Sequence, residues 1–140
     1  MDRTGPAMRN PAPVPSGTAR RRAFLPSKDF EVSTDFYVTV GFTVIFQGDD
    51  VAIFAAGESE FLLTHFYQRE YAENFMMQLL VDDLDAWWTR ISSLNLRDRF
   101  DVPAPKEPAM QPWGLRVAYV VDPCGVLWHF AQRPDDGRVV

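Results

Sequence analysis

The sequence predicts an α+β domain made of two similar halves, each with one helix and four strands. Three observations carry that prediction. A helical apolar stripe and several strand-like runs follow one another in the same order twice. Asp29 and Asp83 stand at equivalent places about 54 residues apart, each just after a strand and at a helix start, and self-similarity at such a period marks the fold. Hydrophobic residues make up 46% of the 140 and aromatic residues 14%, which suits one globular domain with a sizeable core. With one helix per half, each sheet can cover only one of its faces. The other must find the second half, or a ligand.

Residues 1–20 are rich in Pro, with Gly, Ser, Asn and Thr among them. Such a stretch cannot bury enough surface to order itself and reads as a disordered tail. Arg20, Arg21 and Arg22 follow, read as a solvated run rather than a nucleic-acid patch. The domain is expected over 21–132, in modules of about 21–67 and 74–132, with a short tail over 133–140.

In the first module a strand over 22–25 stops at Pro26. Ser27 reads as the N-cap of a helix with Asp29 and Glu31 in its first turn, where negative charge meets the positive helix end. Phe30, Phe36, Tyr37 and Val40 give the apolar stripe, and Gly41 ends it. Strands over 42–47, 51–55 and 61–67 are separated by turns at Gly48-Asp49-Asp50 and Gly57-Glu58-Ser59-Glu60.

The second module opens after a polar linker over 68–73. A strand over 75–81 leads to Asp82-Asp83 and a helix carrying Leu84, Trp87, Trp88, Ile91 and Leu94. Trp87 and Trp88 are adjacent, so they cannot share a helix face; one is expected to pack on the sheet. Residues 97–102 read as a strand, and 103–112, with four prolines, as a long loop. Trp113-Gly114 introduces a strand over 115–121. Asp122-Pro123-Cys124-Gly125 is a turn with a mechanism, Pro fixing φ and Gly accepting φ > 0. The closing strand over 126–131 puts Leu127, His129 and Ala131 on one face and Val126, Trp128 and Phe130 on the other. His129 is either a satisfied core histidine or a site residue.

The formal net charge of −5 argues against nucleic acid and anionic membranes and favours cationic ligands. No apolar run approaches the roughly 20 residues of a membrane span, and the N-terminus lacks the apolar stretch of a secretory signal. The single cysteine, Cys124, allows no internal disulfide, which suits the cytoplasm. No helix start or neighbouring base marks it as a nucleophile.

Several pieces now fall into one pattern: Leu25-Pro26-Ser27-Lys28-Asp29, Asp35-Phe36-Tyr37 with Gly41-Phe42, Val81-Asp82-Asp83-Leu84-Asp85, Pro112-Trp113-Gly114 and Asp122-Pro123-Cys124-Gly125. In their order, over residues 22–132, they resemble the vicinal oxygen chelate superfamily of glyoxalase I, extradiol dioxygenases, and bleomycin and fosfomycin resistance proteins. The resemblance implies two βαβββ modules forming a curved mixed sheet around a cavity. It also implies four metal-ligand places on cavity strands, each held by His or Glu in the metal-dependent members. Here those places fall on Arg22, Leu62, Met76 and His129. Arg cannot be deprotonated, Leu has no donor atom, and a thioether suits soft Cu(I). No metal and no other cofactor are therefore expected. His65 cannot stand in, because alternation puts it on the face opposite Leu62.

Within the superfamily the chain resembles the metal-free bleomycin resistance proteins. It is acidic, carries Trp-Gly before the penultimate strand, and has His129-Phe130 in the last strand. That likeness implies a homodimer that sequesters a flat, cationic antibiotic or related metabolite in a crevice at the dimer interface, without chemistry. Candidate ligand-binding residues are Trp113, His129, Met76, Phe46 and Phe54; for Phe46 and Phe54 the alternative is plain core. The alternative function is a lyase, isomerase or dioxygenase of the same superfamily. The lost ligand places weigh against it, and no carboxylate partner for His129 as general base is evident.

Overall fold

The computed structural model describes residues 13–17 and 21–134. The expectations for 1–12, 18–20 and 135–140 lie outside the described residues, and 13–17 hold no helix or strand. The elements run β1 (Ala23–Leu25), α1 (Phe30–Val40), β2 (Thr43–Gln47), β3 (Val51–Ala56), β4 (Ser59–Thr64) and α2 (Arg69–Glu73). There follow β5 (Met76–Val81), α3 (Leu84–Ser93), α4 (Leu96–Phe100), β6 (Lys106–Met110), β7 (Arg116–Val121) and β8 (Leu127–Gln132).

Two four-stranded mixed sheets result, ordered β1-β4-β3-β2 and β5-β8-β7-β6. In each, the first strand runs parallel to the fourth and the remaining pairs are antiparallel. The two βαβββ modules thus repeat in topology as well as in sequence. Each module starts its helix on an aspartate. Asp29 accepts from the Val32 N–H at 3.2 Å and Asp83 from the Ala86 N–H at 2.9 Å.

Four local expectations are corrected. Ser27 is not the N-cap; its Oγ donates to the Thr64 carbonyl at 2.6 Å, tying the chain to β4 while Asp29 caps. The linker over 68–73 contains α2. The stretch over 97–102 is largely α4, bracketed by Asn95 and Asp101, both at φ 54. The proline-rich stretch over 103–112 contains β6. There a register shift between Lys106 and Ala109 leaves Pro108 outside the ladder, so its missing N–H costs nothing at this sheet edge.

One core takes side chains from α1, α3 and the inner face of each sheet. Tyr37 lies at its centre, with Phe36, Phe42, Phe54, Phe61 and Trp128 rings between 4.8 and 5.8 Å away. Its hydroxyl donates to Asp122 Oδ2 and accepts from Trp128 Nε1 at 3.0 Å. The other Asp122 oxygen accepts from the Cys124 and Val126 N–H groups, each at 2.9 Å, which fixes the Asp-Pro turn. Burial pushes both Tyr37 and Asp122 upward from their ordinary values; for Asp122 these donors pull the other way.

Cys124 is buried too, its thiol pushed up to about 12 mainly by burial and donating to the Pro26 carbonyl at 3.1 Å. It is a packed core group without thiolate character. Trp87 and Trp88 are both half-buried against the core, Trp87 with its ring 5.2 Å from Phe130. Among the described residues no helix is long and apolar enough to cross a membrane.

Candidate functional site

Phe61 of β4 lies 5.3 Å from Trp128 of β8 across the core. The inner faces of both sheets therefore share the one core, and their outer faces lie away from it. On the first sheet's outer face, cross-strand register aligns Phe24, Leu62, Ile53 and Phe46 in one row. Phe24 is 59% exposed and Phe46 51%.

Phe46 reaches that face because of a bulge between Val44 and Phe46 in β2. Plain alternation from Val44, which pairs with Phe54, would have turned Phe46 inward. Phe54 stays on the inner face, fully buried and stacked on Phe61 at 5.2 Å. As a ligand-lining candidate Phe54 is therefore corrected: it is core, and no ligand can reach it in this chain.

On the second sheet's outer face stand Met76, Gln78, Leu127, His129 and Tyr119. Met76 is 62% exposed. Trp113 comes from the turn between β6 and β7. That turn is closed by the Gln111 N–H to Leu115 carbonyl bond at 2.8 Å and the Gly114 N–H to Gln111 carbonyl bond at 2.9 Å. Gly114 has φ +95, which only glycine adopts without strain. This backbone holds the Trp113 ring over the sheet, 6.4 Å from His129 and still 55% exposed.

Tyr119 meets His129 edge-on at 4.7 Å. The Nε2 atom of His129 is buried and has no hydrogen-bond partner among the described residues. Desolvation lowers the imidazole from its ordinary value, so it is neutral near pH 7. No carboxylate pairs with it among the described residues, which leaves it without the partner a general base would have.

Of the sequence candidates, Trp113 and His129 come together, Met76 shares their sheet face, and Phe46 lies on the outer face of the other sheet. Tyr119 was missed, as were its row neighbours Gln78 and Lys106. Alternation could have put Tyr119 on one of two faces, but the register that sets it beside His129 is a long-range property. A cavity of about 670 Å³ borders the same turn through Met110, Gly114 and Leu115, but neither Trp113 nor His129 lines it. Two of its three carboxylates are paired, Asp85 with Arg116 and Asp82 with Arg133, and the third, Asp83, caps α3. Trp113 stays 55% exposed over this face, so a second surface can still cover it.

The metal implied by the resemblance does not fit these residues. Arg22 is engaged with Glu60 at 3.2 Å, Leu62 and Met76 offer no hard donor, and His129 stands alone. Among the described residues no three of His, Cys, Asp and Glu come together as a metal site. His65, at the end of β4, is exposed, with its ring 6.0 Å from Phe30 and its Nδ1 3.8 Å from Asp50.

The chain matches the profile of the Glyoxalase/Bleomycin resistance protein/Dioxygenase superfamily over residues 21–130. It is similar to a bleomycin resistance protein of Klebsiella pneumoniae, 29% identical over 114 residues, spanning 78% of this chain and 88% of the relative. A bleomycin-binding protein solved in complex with bleomycin superposes with a TM-score of 0.72 at 28% identity, over 84% of this chain and all of that one (100%). An antibiotic binding protein from Streptomyces sp. CB03234 gives a TM-score of 0.63 at 26% identity, over 84% of this chain and 98% of its own.

Proposed function

This chain belongs to the glyoxalase/bleomycin resistance protein/dioxygenase superfamily, and from that premise we propose that it is an antibiotic-binding protein that sequesters its ligand without chemistry. The observation that carries the reading is the Trp113 ring held open over His129 on an uncovered sheet face. The likeness to a bleomycin resistance protein and to a bleomycin-binding protein supports it. A flat aromatic ligand gains stacking area on Trp113, and a cationic one gains cation–π attraction of roughly 0.5–2 kcal/mol. The net charge of −5 raises the local concentration of such a cation.

The crevice is completed by a second copy. In a two-fold dimer each outer face of one protomer is presented to a face of its partner, and the crevice forms twice. The apolar first-sheet row with Phe46 is the surface suited to close over Trp113.

The test is a titration of intrinsic tryptophan fluorescence with copper-free and copper-loaded bleomycin, repeated on Trp113→Ala. The variant should bind about tenfold more weakly, equivalent to 1.4 kcal/mol, and melt like the parent, because the ring is exposed. An unchanged affinity removes Trp113 from the site. A collapsed melting temperature would instead make it a core residue, whose loss costs about 3–5 kcal/mol.

A further inference from the structure

Register alone builds a polar row across the outer face of the second sheet. Gln78 pairs with His129, His129 with Tyr119, and Tyr119 with Lys106. Cross-strand partners stand side by side on one face. An amide, an imidazole, a phenol and an ammonium therefore form a line about 14 Å long, three strand spacings. The repeat places the first-sheet row of Phe24, Leu62, Ile53 and Phe46 equivalently, and its side chains hold no polar atom. The two rows occupy the same place in their modules and differ in kind.

Lys106 is exposed and has no ion pair among the described residues. An ammonium has donors only, and the hydroxyl of Tyr119, its partner across the strands, can donate as well. Trp113 overhangs the row at His129. A flat molecule lying there would extend its edge over Tyr119 and Lys106, which stand about 5 and 10 Å further along the row.

We infer that the ligand presents an acceptor oxygen, a carboxylate or a neutral carbonyl, to Tyr119 and Lys106 while its flat portion lies on Trp113 and His129. The inference rests on the reading of this face as the ligand site and gives the ligand a direction. Any cationic group it carries points away from Lys106, because like charges at such distances repel even in a wet environment. The overall negative charge draws a cation in from afar but does not decide which end lands where.

Three probes of one shape test it: phenazine, phenazine-1-carboxamide and phenazine-1-carboxylate, titrated by tryptophan fluorescence into the full chain. The carboxylate should bind at least about tenfold tighter than phenazine, one decade or 1.4 kcal/mol. Lys106→Met should abolish that margin and leave phenazine itself unchanged. A carboxamide as tight as the carboxylate, with the margin lost in Tyr119→Phe, would identify the acceptor as a neutral oxygen. Phenazine binding as well as its carboxylate, or a ranking untouched by both variants, overturns the inference. Trp113→Ala separates the two levels. If it weakens all three probes while Lys106→Met changes nothing, the site stands and the inference falls. If it changes none, the reading of the face as the site falls as well.

Discussion

Tyr37 holds the core together through one oxygen, which donates to Asp122 and accepts from Trp128. Tyr37→Phe removes both bonds and leaves a buried carboxylate oxygen and a buried indole N–H unpartnered. Each orphan costs about 1–3 kcal/mol, so the variant should lose about 3 kcal/mol in a denaturant melt; a loss below about 1 would mean that water replaces the hydroxyl. His129 makes a different prediction. Its imidazole is already lowered by desolvation, and a ligand closing over it desolvates it further. Because the depressed group favours its neutral form, affinity is fully present above about pH 6.5, the ordinary imidazole value, and falls as protons compete below it. Bleomycin affinity should therefore be flat above about pH 6.5 and drop as the pH falls below it, and His129→Gln should flatten the drop. Parallel profiles for parent and variant would assign the pH dependence to the drug.

Among the elements, α1 has no basic residue in its last turn to meet its carbonyl end. Arg90 of α3 supplies one from the other module, donating from Nε to the Val40 carbonyl at 2.6 Å and from Nη2 to the Thr39 carbonyl at 3.0 Å. Arg90→Met should cost about 1–3 kcal/mol in thermal unfolding. Arg90→Lys should recover less than half, since one ammonium cannot reproduce the fork; full recovery would reduce the contact to simple charge. Elements of this kind mark what the sequence makes legible. The helix start at Asp83, the stop at Gly41 and the Asp122 turn depend on local chemistry and are readable in order, while the first helix is read with its cap two residues early, at Ser27 instead of Asp29, because the Ser27 hydroxyl goes to distant Thr64. The bulge in β2 and the edge pairing of β6 depend on distant partners, so Phe46 and Phe54 read alike in sequence and face opposite ways in space. Pro105 and Pro108 marked a loop for the same reason: nothing local says that a neighbouring strand tolerates a missing N–H. Trp113 and His129 were legible because a turn and a strand phase place them; Tyr119 and Lys106 needed the register.

At the scale of the whole molecule, the outer faces leave Phe24, Phe46, Met76 and Trp113 more than half exposed. Large apolar side chains gathered on open sheet faces mark a surface that is covered in use. The repeat also makes the equivalent rows of the two outer faces unlike, one apolar through Phe24, Leu62, Ile53 and Phe46 and one polar and aromatic through Gln78, His129, Tyr119 and Lys106, so the first row of one copy is a fitting cover for the second row of another. A two-fold axis that brings both rows into one patch makes the two contacts at once. We therefore expect a homodimer of about twice 16.0 kDa at micromolar concentration in sedimentation or light scattering; a 16.0 kDa species under those conditions would overturn it. Phe46→Glu supplies the linked test. The side chain lies on the outer face and supports no core, so the variant should melt like the parent. It should nevertheless sediment as a monomer and lose bleomycin binding, although Trp113 and His129 are untouched. A dimeric Phe46→Glu protein that still binds would place the interface elsewhere and confine the site to the second sheet of one chain.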